Sequence, residues 1–431
     1  MGTNMATGAG TYDYSQNAPF RDIEGTYLNK AFAKNTGNRL LVVGDSITYL
    51  DGGNLSDNPL DPVETAYSDG SKATGMFAWA NAMLGHRIKM AGNGGVPGEN
   101  SEQILARIDS LLRIPCDFVS ALSGANDFAQ GWEASRTIAA QKAIYDKIVA
   151  AGKRPIVLTT MSRSSMNNAA GYLYLATVNQ ALKNYARNTP GAILADISSV
   201  MTNPATGVPY TAPNTTGDGT HPNAIGAHAM GKVIADALRP IIPATDVFSS
   251  NNLDPLNYCT NACNTGTTGT VANGITGTPG TGWQFTAPSG VVEAAVSKVA
   301  RTDGLPGEWT RCTIGPTNTA NIIAGGTVRF DATGANGVKV GDKITVAIEV
   351  RVSGLTGVSR FDGGYFHTST LAYDLNGIWQ QGSGPVTDGT YVLMVEGTVI
   401  GAGATYIQTR VQVTATGGIF DIGRSTVFKT L

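Results

Sequence analysis

The sequence predicts two domains in tandem: an α/β domain built on a parallel sheet, followed by an all-β sandwich. The chain has 431 residues, which suits two domains of ordinary size better than one. Between residues 38 and 245, short apolar runs alternate with amphipathic helical patterns, as in parallel sheets covered on both faces. Beyond residue 283, apolar residues recur at every second position between glycine-rich turns, which is typical of sandwiches and jelly rolls.

The first domain, assigned to residues 38–245, follows from its periodicity in chain order. Residues 40–43, LLVV, indicate a buried strand, and residues 101–112 place their apolar side chains on one helical face. Further strands are predicted at 118–124, 155–160 and 192–198, and further helices at 137–152, 174–188 and 223–238. Residues 1–37 hold few apolar runs, and we interpret them as an N-terminal arm or linker. Ligands of such sheets bind beyond the carboxyl ends of the strands.

The second domain begins after a change in composition. Residues 246–282 are rich in Gly, Thr and Asn, and we interpret them as a linker to a sandwich at 283–431. Residues 343–352, KITVAIEVRV, and residues 406–413 show the alternation of half-buried strands. Whether this domain binds carbohydrate or drives assembly of a homo-oligomer stays open. Four of its aromatic residues could fill the core or stack on sugar rings: Trp283, Trp309, Tyr365 and Trp379.

The composition excludes several classes of protein. Charged residues make up 14% of the chain, against about 25% in average globular proteins, and the formal net charge is −2. No basic stripe argues for nucleic-acid binding, and no run of at least 18 apolar residues predicts a membrane span. The N-terminal sequence lacks the pattern of a secretory signal. We therefore expect a protein that is cytoplasmic when synthesised and that acts outside the cell or on a virion.

The cysteines suggest structure rather than chemistry. Cys116 precedes an apolar strand and is expected in the core. Cys259 and Cys263 form a C-x3-C spacing that could close a local disulfide or stay inert. Neighbouring His or Cys ligands are lacking there, so we expect no metal site.

Five residues with catalytic chemistry fall where one edge of the predicted sheet would gather them. Ser46 follows the first strand in the run Gly-Asp-Ser, and Asn126 follows a later strand in Gly-Ala-Asn-Asp. Gly98 precedes a helix, and Asp218 and His221 precede the last helix in Asp-Gly-Thr-His. A serine hydroxyl becomes a nucleophile when a base such as His221 removes its proton, and Asp218 could orient that imidazole. The backbone N–H groups of Ser46 and Gly98 and the side-chain amide of Asn126 could stabilise an oxyanion.

Each of these residues alone also admits an ordinary role. Ser46 could cap a helix, Asn126 and Asp218 could stabilise turns, and His221 could lie on the surface. Asp45 and Asp127 are expected to brace loops by accepting backbone N–H groups rather than to take part in catalysis. Tyr49, Phe128 and Trp132 lie near the motifs in sequence and are candidates for lining a substrate cleft.

The four blocks around Ser46, Gly98, Asn126 and His221 resemble, in the same order, the signature blocks of the SGNH (GDSL) hydrolase superfamily. The resemblance covers about residues 38–243. It implies a flavodoxin-like three-layer α/β/α fold, with Ser46, Asp218 and His221 as a catalytic triad. It also implies an oxyanion hole formed by Ser46, Gly98 and Asn126. Gly94 and Gly95 lie close to Gly98 in the sequence and are the alternatives for the donor from this block.

The resemblance implies ester hydrolysis through an acyl-enzyme, with no cofactor. Within the superfamily we expect O-deacetylation of an acetylated polysaccharide, because the motif loops lack a long apolar insertion and a β-rich domain follows. The arrangement is similar to bacteriophage tail-associated deacetylases, which would make the chain a trimer. The alternatives are a lipase or aryl esterase of the same superfamily and a non-catalytic virion adhesin.

Overall fold

The structure is a computed structural model, which describes residues 38–49, 75–203, 205–206, 219–242, 246–367, 373–374 and 386–430. The predicted arm at 1–37, the triad candidate Asp218 and the aromatic candidate Trp379 lie outside the described residues. The elements below are numbered within the described part.

The first unit carries all eight α-helices of the described residues, a short 3-10 helix at Ser164–Met166 and a five-stranded sheet. The helices are α1 Ser46–Tyr49, α2 Met76–Met83, α3 Ser101–Leu111, α4 Ala125–Ala129, α5 Ala134–Ala150, α6 Ala169–Asn188, α7 Ser198–Met201 and α8 Ala224–Leu238. The strands are β1 Arg39–Gly44, β2 Lys89–Gly95, β3 Phe118–Leu122, β4 Arg154–Leu158 and β5 Ile193–Ala195. The strands lie in the order β2-β1-β3-β4-β5, and every pair of neighbours is parallel.

Two apolar layers enclose this sheet. Leu40 and Val42 of β1 pack on the side of α2 and α8, whereas Leu41 and Val43 pack on the side of α3, α5 and α6. The successive side chains of a strand point to opposite faces, so the continuous run LLVV is buried on both sides. The predicted α/β domain with a parallel sheet and three layers is confirmed. Its strands all end at one edge, where Ser46 begins α1.

The strand β2 is one that the sequence patterns did not predict. Its sequence, KMAGNGG, contains three glycines and has little intrinsic preference for a strand. It forms by pairing with β1, and its last residue, Gly95, packs directly against the backbone of α1. A Cβ at Gly95 would collide with the backbone at Tyr49, so the glycine permits this close approach.

The second unit is a sandwich of two mixed sheets, as predicted. The strands of its first half are β6 Thr270–Val271, β7 Thr276–Gly277, β8 Trp283–Thr286, β9 Ala294–Ala300, β10 Glu308–Ile314 and β11 Ile322–Thr327. Those of its second half are β12 Lys343–Ser353, β13 Arg360–His367, β14 Tyr373–Asp374, β15 Gly389–Val399, β16 Ile407–Thr414 and β17 Gly418–Lys429. One sheet has the order β15-β12-β17-β10-β9-β7 and the other β14-β13-β16-β11-β8-β6. The pairs β6–β8 and β7–β9 are parallel, and the other pairs are antiparallel.

Residues 246–282, which we expected to be a linker, instead form part of the sandwich. The side-chain amide of Asn257 donates to the backbone oxygen of Ser425 in β17, and that of Asn264 donates to the backbone oxygen of Ile422. This segment also contributes β6 and β7 to the two sheets. Polar side chains that bond to a strand's backbone fix the segment together with buried apolar residues such as Ala262 and Ile275.

The cysteines form no disulfide. Cys259 and Cys263 are both buried with reduced thiols, and burial raises the pKa of Cys259 to about 12. Cys312 is also buried, and Cys116 is partly buried. Thiols with raised pKa values are poor nucleophiles, which fits the inert alternative considered from the sequence.

The three aromatic candidates of the sandwich that the structure describes lie inside it. Trp283, Trp309 and Tyr365 are at most 2% exposed. Stacking on a sugar ring requires an accessible aromatic face, so of the two alternatives considered from the sequence these three residues fill the core.

The two units share an apolar contact. Trp79 of α2 and Ala227 of α8 belong to the same buried cluster as the sandwich core. His228 of α8 is 2% exposed, and its Nε2 lies 3.0 Å from the hydroxyl oxygen of Tyr391 in β15. In the parts of the chain that are described, no helix has both the length and the apolar character needed to cross a bilayer.

Candidate active site

Ser46 lies at the carboxyl edge of the parallel sheet, at the first position of α1. Gly44 ends β1, and a Cβ at this glycine would collide with the side chain of Thr48 and lie 2.6 Å from the backbone oxygen of Leu122. The chain therefore turns tightly from strand to helix, and Ser46 projects from the turn. The backbone N–H of Tyr49 donates to the oxygen of Asp45 at 3.0 Å, which closes this single helical turn.

His221 meets Ser46 although 175 residues separate them in sequence. Its Nε2 lies 2.8 Å from the Ser46 hydroxyl oxygen. His221 precedes α8, whose N-cap residue Asn223 accepts the backbone N–H of Gly226 at 2.9 Å. With Nε2 unprotonated, the serine hydroxyl donates to it, which is the arrangement of a nucleophile and its base.

The loop that carries His221 is anchored to the segment after β4. The backbone N–H of Ser164 donates to the oxygen of Gly219 at 2.9 Å. Gly219 has a φ of +65°, and a Cβ there would lie 2.9 Å from the Cβ of Ser164. A side chain at 219 would therefore be strained and would press on residue 164.

Asn126 lies in α4, directly after the turn that follows β3. Its side-chain Nδ2 donates a hydrogen bond to the backbone oxygen of Glu99 at 2.9 Å. Its Oδ1 accepts a hydrogen bond from Nη1 of Arg163 at 3.2 Å. The preceding Gly124 has a φ of +103°, a conformation that suits glycine. One of the two amide hydrogens of Asn126 bonds to Glu99, and the other is available to a bound group.

Gly98 is the glycine of its segment best placed to offer a backbone N–H. It is exposed, has a φ of +82°, and directly precedes Glu99, whose oxygen holds Asn126. Gly94 pairs with Val43 inside the sheet, and the N–H of Gly95 already donates to the side chain of Asn93 at 2.8 Å. The two alternatives to Gly98 are therefore built into the sheet.

Two buried acids brace the site, as predicted. Oδ1 of Asp45 accepts the backbone N–H of Ile47 at 3.0 Å, and Oδ1 of Asp127 accepts that of Ser101 at 2.8 Å. Burial raises the pKa of Asp45 to about 6, against the opposing effects of the Ile47 hydrogen bond, His221 and Arg163. Asp45 thus holds the first turn of α1 by its hydrogen bond to Ile47 and interacts electrostatically with His221 and Arg163.

Sequence reasoning missed two arginines beside these residues. Arg107 of α3 donates to the backbone oxygen of Gly44 at 3.2 Å and pairs with Glu99 at 2.6 Å. Arg163 follows β4 and bonds to Asn126. The position of Arg163 after a strand of the parallel sheet was a usable signal, because the carboxyl ends of these strands converge.

The aromatic candidates have different surroundings. Tyr49 ends α1 and is 38% exposed. Phe128 is partly buried, with its ring centroid 5.1 Å from that of Tyr174 in the core between helices and sheet. Trp132 carries the guanidinium of Arg136 3.8 Å from its ring centroid. The cleft role of Tyr49 and Trp132 stays a prediction, whereas Phe128 supports α4 from the inside.

Within the described residues, no cluster of three or more His, Cys, Asp or Glu side chains could hold a metal ion. The described part of the site offers a hydroxyl, an imidazole, an amide and a guanidinium group. A hydroxyl in contact with an imidazole, beside a fixed amide donor, is suited to acyl transfer.

Residues 42–229, which include Ser46, Gly98, Asn126 and His221, match the model of the GDSL-like lipase/acylhydrolase family. No curated protein sequence is significantly similar to the chain.

Solved structures similar to the first unit share little sequence with it. A GDSL-like lipase from Bacteroides thetaiotaomicron is 17% identical, with 49% of this chain and 94% of that chain covered and a TM-score of 0.36. A catalytic mutant of an acetylxylan esterase from Geobacillus stearothermophilus is 18% identical, with 47% and 94% covered and a TM-score of 0.38. An α/β hydrolase from the metagenome of Lake Arreo is 21% identical, with 48% and 97% covered and a TM-score of 0.37. Identities this low do not transfer a substrate.

Proposed function

We propose that the GDSL-like lipase/acylhydrolase domain of this chain is a serine esterase that works through an acyl-enzyme. The observation that carries the proposal is the distance of 2.8 Å between Nε2 of His221 and the hydroxyl oxygen of Ser46. A serine hydroxyl is weakly nucleophilic on its own, and a base at hydrogen-bond distance is what activates it.

In the first half of the reaction, the Ser46 oxygen bonds to the ester carbonyl carbon while its proton moves to Nε2 of His221. The carbonyl oxygen becomes an oxyanion, which accepts hydrogen bonds from Asn126 and from the backbone N–H groups of Ser46 and Gly98. The bond to the alcohol oxygen then breaks, and His221 returns its proton to that oxygen. The acyl group remains on Ser46.

In the second half, water loses a proton to His221 and bonds to the acyl carbon. The bond to Ser46 breaks, the serine regains a proton from His221, and the carboxylic acid leaves. The net reaction is the addition of water across the ester. We assign Asp218 the role of orienting the imidazole, on the strength of its place three residues before His221 in the sequence.

For the substrate we propose an acetyl ester of a polyhydroxy alcohol, most simply an O-acetylated polysaccharide. Support comes from the polar groups beside Asn126. Asn100 donates from its side chain to Oε1 of Gln130 at 2.7 Å, and both residues are accessible. With Arg163 and the backbone of Glu99, these amides give the described rim of the site a hydrophilic character, which suits a sugar better than a long acyl chain.

The proposal is tested first at Ser46. We expect Ser46→Ala to lower kcat on p-nitrophenyl acetate by about 10⁴-fold or more, because the nucleophile and its base act as a unit. A fluorophosphonate probe should label the wild type and not the variant. Ser110→Ala, a helix residue exposed on α3, serves as the control and should retain both properties. Full turnover by Ser46→Ala would refute the esterase, and an unlabelled, inactive wild type would favour the non-catalytic adhesin.

The substrate class is tested separately. Acetate release is measured on a panel of O-acetylated bacterial polysaccharides with acetylated xylan and pectin, alongside p-nitrophenyl esters of two to twelve carbons. The proposal expects a steep preference for acetyl and release from at least one polysaccharide. Higher kcat/KM on long acyl chains, or no release from any polysaccharide, would support the lipase or aryl esterase instead.

A further inference from the structure

We propose that Arg163 is a positioning residue, which holds the Asn126 amide so that one of its N–H groups faces the oxyanion. The inference rests on the proposed esterase function and adds to it a residue outside the four sequence blocks. Arg163 belongs to the segment between β4 and α6, and its Nη1 lies 3.2 Å from Oδ1 of Asn126.

The chemistry of the two neighbours fixes the orientation of the amide. An arginine guanidinium carries donors and no acceptor, so it must face the Oδ1 of Asn126. The backbone oxygen of Glu99 is an acceptor, so it must face Nδ2, at 2.9 Å. A rotation of the amide by 180° would place Nδ2 against Arg163 and Oδ1 against the Glu99 oxygen, and both contacts would be repulsive.

This arrangement leaves one amide hydrogen uncommitted. Nδ2 of Asn126 has two hydrogens, and Glu99 accepts one of them. Without Arg163, the amide could rotate and present Oδ1 to the oxyanion, which would oppose the developing negative charge. A donor stabilises a transition state most when it is oriented before the reaction begins.

Arg163 is itself held in place from two sides. Its Nη1 also lies 3.4 Å from the backbone oxygen of Ala125, so the guanidinium spans the first turn of α4. The next residue, Ser164, donates its backbone N–H to Gly219 in the loop that carries His221. The segment therefore joins the amide donor to the loop of the base.

The surrounding charges give Arg163 a reason to be charged rather than neutral. The buried Asp45 and Asp127 flank the site, and Arg163 lowers the pKa of Asp45 while burial and Asp127 raise it. A neutral side chain at position 163 would leave the Asp45 carboxyl group without this compensating charge. The geometry of the hydrogen bond carries the proposal, and the charge is consistent with it.

A double-mutant cycle on p-nitrophenyl acetate tests the inference. Removal of one oxyanion donor costs about 10²–10³-fold in kcat, so we expect Arg163→Met to cost about 10–100-fold with KM within about twofold. In the Asn126→Ala background, the same change should cost less than about twofold, because the amide that Arg163 orients is gone. Arg163→Lys, which keeps a donor and the charge, should recover part of kcat.

Several outcomes would overturn the inference. Equal losses of kcat in both backgrounds would assign Arg163 a role independent of Asn126, and an unchanged kcat in Arg163→Met would assign it none. Arg187→Met, an exposed arginine at the end of α6, controls for the general effect of losing a charge. If Arg163→Met does not fold by circular dichroism, the cycle is run with Arg163→Lys and the same criterion. A failure of the esterase proposal is distinct, since it would appear as full turnover by Ser46→Ala or as a wild type that is inactive and unlabelled.

Discussion

The buried carboxyl group of Asp45 fixes the backbone beside Ser46 but lowers the stability of the fold when it is ionised. Its side chain is 1% exposed and holds the first turn of α1 by accepting the Ile47 N–H. Burial raises its pKa from 3.8 to about 6. Between these two values the folded state binds a proton that the unfolded state has lost, so its contribution to stability falls as pH rises through that window.

We therefore predict that Asp45→Asn is more stable than the wild type at pH 8, by up to about 3 kcal/mol, because Oδ1 of asparagine can still accept the Ile47 N–H. The difference should shrink as pH falls from 6 towards 4, because the folded state then keeps its proton on Asp45 and the unfolded state increasingly binds one too. Thermal unfolding midpoints measured from pH 4 to pH 8 check this. Asp109→Asn, at an exposed site on α3, should show no such pH-dependent gain. A variant less stable than the wild type at pH 8 would contradict the assignment.

At the scale of residues, the sequence pointed to the serine, the amide and the imidazole of the proposed site and missed the arginine that bonds to the amide. Ser46, Asn126 and His221 stand in short motifs with a chemical reason for each residue type. Arg163 stands in no motif, and an arginine in a loop usually faces solvent. Its place after β4 was a signal for the carboxyl edge of the sheet, but its contact with Asn126 depends on how β3 and β4 lie side by side, which a linear pattern does not contain.

At the scale of elements, the sequence predicted those helices and strands that carry an apolar periodicity of their own, and it missed those that are held by partners distant in sequence. The apolar strands β1, β3 and β4 and the amphipathic helices α3, α5 and α6 carry their own periodicity, and the sequence patterns predicted them. The glycine-rich β2 and the polar residues 246–282 carry none. Both are held by partners distant in sequence, β1 in one case and β17 in the other, so tertiary contacts determine them.

The close packing of β2 on α1 leads to a prediction about Gly95. A Cβ there would collide with the backbone of Tyr49 and lie 2.8 Å from the carbonyl carbon of Thr48. Gly95→Ala must therefore displace α1, and with it Ser46, relative to His221. Because a displacement of about 1 Å can cost about 10²-fold in rate, we expect kcat on p-nitrophenyl acetate to fall about 10–100-fold.

The matched control for this change is Gly152→Ala. Gly152 follows α5, has a φ of +73°, and has no atom within 4 Å of the position of an added Cβ. It should lose about 1 kcal/mol of stability from backbone strain, with kcat unchanged. Equal kcat values for Gly95→Ala and the wild type, in folded protein, would mean that α1 tolerates the displacement.

At the scale of the whole molecule, the sandwich and the α/β unit act as one packed body where α2 and α8 meet β15. The ring of His228 lies 4.6 Å from that of Trp79 and bonds to the hydroxyl of Tyr391. The same helix, α8, follows directly on the loop that carries His221. The sandwich therefore buttresses the helix behind the proposed base, which is a structural role independent of any carbohydrate binding.

His228 makes this contact sensitive to acid. Burial, and to a lesser extent the charge of Lys232 one turn further along α8, lower its pKa from 6.5 to about 4. Between these values the unfolded state binds a proton that the folded state excludes, so the stability contributed by the neutral ring is complete above pH 6.5 and falls as pH drops towards 4. The expected loss is up to about 3 kcal/mol, opposite in sign to the effect of Asp45 over much of the same range.

Because Asp45 and His228 have opposite effects on stability, the pH dependence of the wild type's stability does not isolate the contribution of His228. The difference in stability between a His228 variant and the wild type, followed over pH, does isolate it. We predict that His228→Gln, which can still hydrogen-bond to Tyr391, loses less stability than the wild type between pH 7 and pH 4. Tyr391→Phe keeps the aromatic ring and leaves His228 buried. Its free energy of unfolding should therefore lie below that of the wild type by a nearly constant amount from pH 7 to pH 4. Unfolding followed by near-ultraviolet circular dichroism measures both. Parallel curves for His228→Gln and the wild type would show that protonation of this residue does not loosen the contact between the two units.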